Sequence, residues 1–137
     1  MLDICNKKKF YSMMLRDRFP LAKIDFPTEC GEGSVEFFRT PLGVVLCASV
    51  SGAGRLREIK MYNKKRSEFD IQNIFCGDNL IEISKGVFAG LSTKLRIEDA
   101  IGRDFLIKLD DMSIMARAQM LPKRESTVDK TVSLVYN

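Results

Sequence analysis

The chain has 137 residues, 45% of them hydrophobic and 29% charged, with 22 Lys/Arg against 18 Asp/Glu for a net charge of +4, and no histidine. That balance suits one soluble globular domain, large enough to bury roughly two thirds of its unfolded surface without a disulfide or metal staple. No apolar run approaches the roughly 20 residues of a membrane span, and MLDICNKKKF is followed by no apolar stretch of the kind a secretory signal needs.

Residues 3–19, DICNKKKFYSMMLRDRF, carry Phe10, Met13 and Met14, and also Tyr11, Leu15 and Phe19, at helical spacing. This predicts a helix with an apolar face opposite a lysine-rich one. Pro20 ends it, because the residue before a proline avoids the α region. The methionine-bearing face reads as core packing, with a partner-binding groove as the alternative. FPTECGEG, residues 26–33, reads as a loop punctuated by Pro27, Gly31 and Gly33. SVEFFRT and VVLCASV, joined by PLG, predict a hairpin, and the nearly unbroken apolar run GVVLCASV suits a central strand covered on both faces. SGAG supplies a second tight turn. RLREIKMY then predicts a returning strand with Arg55 and Arg57 on one face; a helix aligning Lys60 with Lys64 is the alternative.

EFDIQNIF, NLIEIS and VFAGLS are short strands separated by CGD and KG. TKLRIEDAIG is a short helix or a strand and bend, closed at Gly102. DFLIKLD and SIMARAQM alternate around DDMS and predict a half-buried antiparallel hairpin. After Pro122, KRESTVDK is polar, while TVSLVY has the pattern of a docking strand. These elements describe a single domain over 1–137: an N-terminal helix within 1–19, a β-rich core over 33–122 and a polar C-terminal tail over 123–137. The expected class is mainly β with an N-terminal helix (α+β), six to eight strands forming a small antiparallel barrel or sandwich.

Chemistry is sparse. Without histidine the chain lacks the commonest general base and the Ser-His and Cys-His nucleophile pairs. Cys5, Cys30, Cys47 and Cys76 form neither a CxxC pair nor a repeated spacing. They read as reduced thiols in the cytoplasm, and a zinc site would want paired Cys or His ligands. Glu98, Asp99, Asp104, Asp110 and Asp111 read as turn formers and solvated charges, with a magnesium or acid/base site as the alternative. An enzyme is not expected, nor a metal or cofactor.

The charge is lopsided. Between 55 and 66 stand Arg55, Arg57, Lys60, Lys64, Lys65 and Arg66 against Glu58 alone, a local +5; the other 16 cations and 17 acids leave the rest of the chain at −1. A patch of this kind attracts phosphates, nucleic acid, anionic lipid or an acidic protein face. Alternatively it protects an edge strand from aggregation. The neighbouring SGAGRLRE lacks the lysine and hydroxyl of a P-loop, and only Gly52 and Gly54 fit a dinucleotide fingerprint.

SVSGAG, residues 49–54, resembles the [D/N]-x-S-x-x-G strand-turn of PilZ domains, with Ser51 and Gly54 matching and Ser49 standing where the acidic or amide residue belongs. EISKGV, residues 82–87, is a second partial match through Ser84, with Glu82 at the acidic place. The resemblance implies a small β-barrel and a cyclic-dinucleotide effector. No two arginines here are four apart, the spacing of that family's R-x-x-x-R; Lys60 and Lys64 are.

Two functions follow as expectations. One is a regulatory binding domain holding a phosphate-bearing ligand, a nucleic acid or nucleotide, or an acidic protein surface, through Arg55, Arg57, Lys60, Lys64, Lys65 and Arg66. Tyr62 and Phe69 are the nearby aromatics that could stack on bases. The other is an interaction or assembly subunit (an adaptor, a chaperone or a homodimer) that uses the methionine-bearing helix and open sheet edges.

Overall fold

The computed structural model describes residues 4–16, 18–29, 31–42, 45–50, 54–63, 70–77, 79–110 and 112–122. The polar tail 123–137 and its TVSLVY run lie outside the described residues.

Helix α1 spans Ile4–Arg16. Among the described residues ten strands follow, with one further helical turn: β1 Ala22–Thr28, β2 Gly31–Arg39, β3 Val45–Val50, β4 Glu58–Tyr62, β5 Ile71–Phe75, β6 Leu80–Ser84, β7 Val87–Ser92, α2 Ile97–Ala100, β8 Asp104–Lys108, β9 Ser113–Arg117 and β10 Gln119–Met120. They form two antiparallel sheets, one of six strands in the order β10-β1-β2-β3-β7-β6 and one of four in the order β5-β4-β8-β9. The sheets pack face to face as a sandwich with α1 at the N-terminal side of the chain. Among the described residues no helix is long and apolar enough to cross a membrane.

Strand period dictates which residues meet. On β2, Val35 and Phe37 point into the space between the sheets and Phe38 points out. Phe37 is fully buried, with the Phe75 ring 6.2 Å away and the Phe105 ring 5.4 Å away, so one residue of the larger sheet touches two rings of the smaller. Ile24, Phe26, Val35 and Cys47 on one side meet Ile59, Met61 and Ile107 on the other. The outer face of the larger sheet holds a separate apolar cluster. There Tyr11 and Met14 of α1 cover Phe38 and Ala89, with Ala48, Ile81 and Ile83 half-buried around them. β3 is thus central in its sheet, between β2 and β7.

The predicted class and most strands agree with this architecture, and six expectations need correction. α1 stops at Arg16, short of Pro20, and Phe19 lies beyond it, 53% exposed. FPTECGEG is no loop: β1 runs through Pro27 to Thr28 and β2 begins at Gly31. Gly33 looks like punctuation but sits opposite Phe26, whose ring lies where a Cβ would be. Pro27 is tolerated because β10 pairs β1 only at Ala22 and Lys23, so that among the described residues no ladder lies on that edge of β1 at 27. RLREIKMY forms a strand only over Glu58–Tyr62, so Arg55 and Arg57 do not share a strand face, and that strand does not return to β3. It crosses to the other sheet and pairs with β5 and β8. SIMARAQM is broken at Ala118, buried between two strands, as the chain leaves β9 and joins β1 in the larger sheet. The described residues thus hold ten strands rather than six to eight, and the core begins before residue 33.

Candidate functional site

The basic segment enters the fold in separate pieces. Residues 55–57 form an irregular strap ahead of β4. Asp110, in the turn after β8, holds it: Oδ2 accepts from the Arg55 backbone N–H at 3.0 Å, and Oδ1 accepts from Arg57 Nε at 2.6 Å. The Arg57 N–H donates to the Lys108 carbonyl at 2.8 Å. Gly54 adopts φ +109°, and a Cβ there would sit 3.0 Å from Asp110 Oδ2, so the close approach needs a residue without one. The Arg55 N–H, then the Arg57 hydrogen bond, hold the Asp110 carboxyl below its ordinary range. An aspartate that reads as a solvated turn former is thus a clamp between two connections.

Lys60 faces elsewhere. Ile59 and Met61 point to the core, so Lys60 and Glu58 lie on the outer face of the four-stranded sheet. Its Nζ is 3.6 Å from Glu58 Oε2, which Lys108 Nζ also approaches at 3.5 Å. Arg57 precedes β4, exposed beside the buried Leu56, at the end of the sheet where Asp110 lies. Each of the two cations therefore has an acid of the chain beside it. The Arg55 side chain is exposed and forms no ion pair with a described residue. Lys64, Lys65, Arg66 and Phe69 lie outside the described residues, and Tyr62 is buried at 7% exposure.

The SVSGAG resemblance is divided in the same way. Ser49 is on β3 at 1% exposure, its hydroxyl without a partner among the described groups. Ser51 lies outside the described residues, and Gly54 opens the strap. Glu82 and Ser84 are on β6, where Glu82 Oε2 accepts from the Gly86 N–H at 3.2 Å.

A second cationic surface is built by α1. The helix buries Tyr11 and Met14 against the sheet, which rotates Lys8, Lys9, Ser12, Met13 and Arg16 outward. Together with Ile83 of β6 they line a shallow cleft of about 440 Å³. Met13 is 65% exposed at its centre. Lys8, Lys9 and Arg16 form no ion pair with any described acid. The expectation that the methionines pack in the core therefore holds for Met14 and fails for Met13: adjacent helical residues are about 100° apart and cannot share a narrow contact line. The spacing Lys9–Met13–Arg16, at i, i+4 and i+7, was the available signal.

Another cleft, of about 330 Å³, opens beside β5 and is lined by Leu42, Asn73, Cys76, Asn79 and Lys94, among others. Asn79 braces its wall, accepting from the Cys76 N–H at 2.9 Å and donating to the Leu91 carbonyl at 2.9 Å. Cys76 is a half-buried free thiol and Cys47 a buried one, whose ionisation burial pushes well up. Among the described residues no three His, Cys, Asp or Glu side chains are placed to hold a metal ion.

No protein-family model, curated protein or solved structure matches the chain. The functional reading rests on geometry and charge.

Proposed function

We propose that this protein is a non-enzymatic binding module that holds an acidic protein partner on the outer face of α1, through Lys8, Lys9 and Arg16 around Met13. One contrast carries the reading. In the described part of 55–66, Arg57 and Lys60 are beside Asp110 and Glu58, whereas the α1 cations form no ion pair with a described acid and flank an exposed methionine. An unpaired cation retains its full attraction for an incoming anion, and a flexible thioether adapts to an apolar side chain next to it. A reducing compartment such as the cytoplasm suits the module, since Cys47 and Cys76 are free thiols.

A phosphate-bearing ligand on the 55–66 segment is the second reading, favoured by the exposed Arg55 side chain. The experiment that separates them is fluorescence anisotropy with labelled poly-L-glutamate, with a thymidine oligonucleotide and cyclic di-GMP as competitors. Lys8→Glu, Lys9→Glu and Arg16→Glu combined should weaken poly-glutamate binding by about tenfold or more, and rising salt should weaken it further. If only Lys64→Glu, Lys65→Glu and Arg66→Glu abolish it, or if the oligonucleotide or cyclic di-GMP binds far more tightly, the α1 reading is wrong and the second stands.

A further inference from the structure

We infer that the acidic partner is an extended segment that lies along β6 and adds a strand to the six-stranded sheet; this rests on the α1 reading above. β6 is the outermost strand of that sheet and pairs, among the described residues, with β7 alone. Among the described residues nothing pairs with its other edge, whose main-chain N–H and C=O groups suit an incoming strand. The cationic cleft lies on that same side of the helix. The one sheet residue lining it is Ile83 of β6, and none comes from β2, β3 or β7.

The edge and the cleft make complementary demands on one occupant. A strand beside β6 projects alternate side chains toward the helix, where they meet Lys8, Lys9 and Arg16 around Met13 and Ile83. Acidic residues suit the three cations, and an apolar residue suits Met13 and Ile83. A second copy of this chain is a poor occupant, because it would bring the same three cations against their equivalents. The ladder available is short. The β6–β7 register shifts between Glu82 and Ser84, so regular pairing positions are confined to Leu80, Ile81 and Glu82. Main-chain bonds then fix direction and register, while the cations supply the long-range attraction.

The test uses the full chain and a fluorescein-labelled ten-residue peptide of alternating glutamate and valine, read by anisotropy. Two further peptides carry backbone N-methyl groups on alternate residues, one in each register. N-methylation in one register removes the donors that face β6 and should weaken binding about tenfold, while the other register should change it little. Hydrogen exchange at Leu80–Glu82 should slow when the unmodified peptide binds. Lys8→Glu with Lys9→Glu and Arg16→Glu should weaken all three peptides, and the peptide series itself leaves the protein untouched. If both methylated peptides bind as the parent does while charge reversal still weakens them, strand addition is wrong and the acidic-surface reading survives. If charge reversal changes nothing, or the parent peptide does not bind at millimolar concentration, both are wrong. Displacement by a ten-nucleotide thymidine strand at much lower concentration would assign the surface to nucleic acid and overturn the inference.

Discussion

Phe37→Ala tests whether the two sheets are joined through one aromatic contact. Phe37 is fully buried, and its ring lies 5.4 Å from Phe105 and 6.2 Å from Phe75. Removing it forfeits about 2 kcal/mol of apolar transfer. A residual cavity of about 70 Å³, at about 24 cal/mol per Å³, adds roughly 1.7 kcal/mol, and lost ring–ring contact adds about 0.5–1.5 kcal/mol. The sum, about 4–5 kcal/mol, is about a quarter or more of the roughly 5–15 kcal/mol that holds a domain folded. At about 2.1 cal/mol/K per residue, unfolding entropy makes each kcal/mol worth about 3.5 °C for a chain this long, so the midpoint should fall by about 14–17 °C. Urea titration followed by circular dichroism gives the free energy, and calorimetry gives the midpoint. Leu42→Ala, at a side chain 67% exposed, serves as the control and should stay within about 0.5 kcal/mol. The helix packs on the other face of the sheet, so Phe37→Ala should leave peptide binding at 10 °C unchanged. A loss below about 1 kcal/mol would refute the reasoning, because it would mean that the rings of the two sheets are not in contact.

Tyr11→Ala with Met14→Ala removes the two buried contacts of α1 and should raise amide exchange in the helix far more than in β2, with peptide affinity falling alongside. Equal exchange in both elements would show that the helix is not a separate layer. Asp110→Asn should alter the pH dependence of stability. The folded carboxyl is depressed, so its contribution is present above the ordinary carboxylate range and is lost as pH falls through the folded value. Wild type should therefore lose stability more steeply than Asp110→Asn below about pH 4, and parallel profiles would count against the clamp. In a Cys5→Ser, Cys30→Ser background, a thiol reagent should modify Cys76 in the native protein and Cys47 only on unfolding. Rapid native labelling of Cys47 would contradict its burial.

Much of this protein is decided by local pattern. Alternation in DFLIKLD and SIMAR, the apolar run through VVLCASV and the spacing of Tyr11, Met14 and Leu15 specify strands and a helix without reference to distant residues, because each depends only on which side chains fall on one face. The +5 of residues 55–66 is equally a property of the sequence. What that charge does is decided elsewhere. Asp110 reaches Arg57 across 53 positions, and Glu58 stands between Lys60 and Lys108 only because β8 pairs with β4. Gly33 and Pro27 read as loop residues until Phe26 is seen to lie over one and an unpaired edge to accommodate the other. Which of two adjacent methionines is buried likewise depended on how the helix rolled against Phe38 and Ala89. Faces and periods are local and survive in the sequence. Partners across a sheet, and the acids that compensate a cation, are set by long-range pairing that no short window contains.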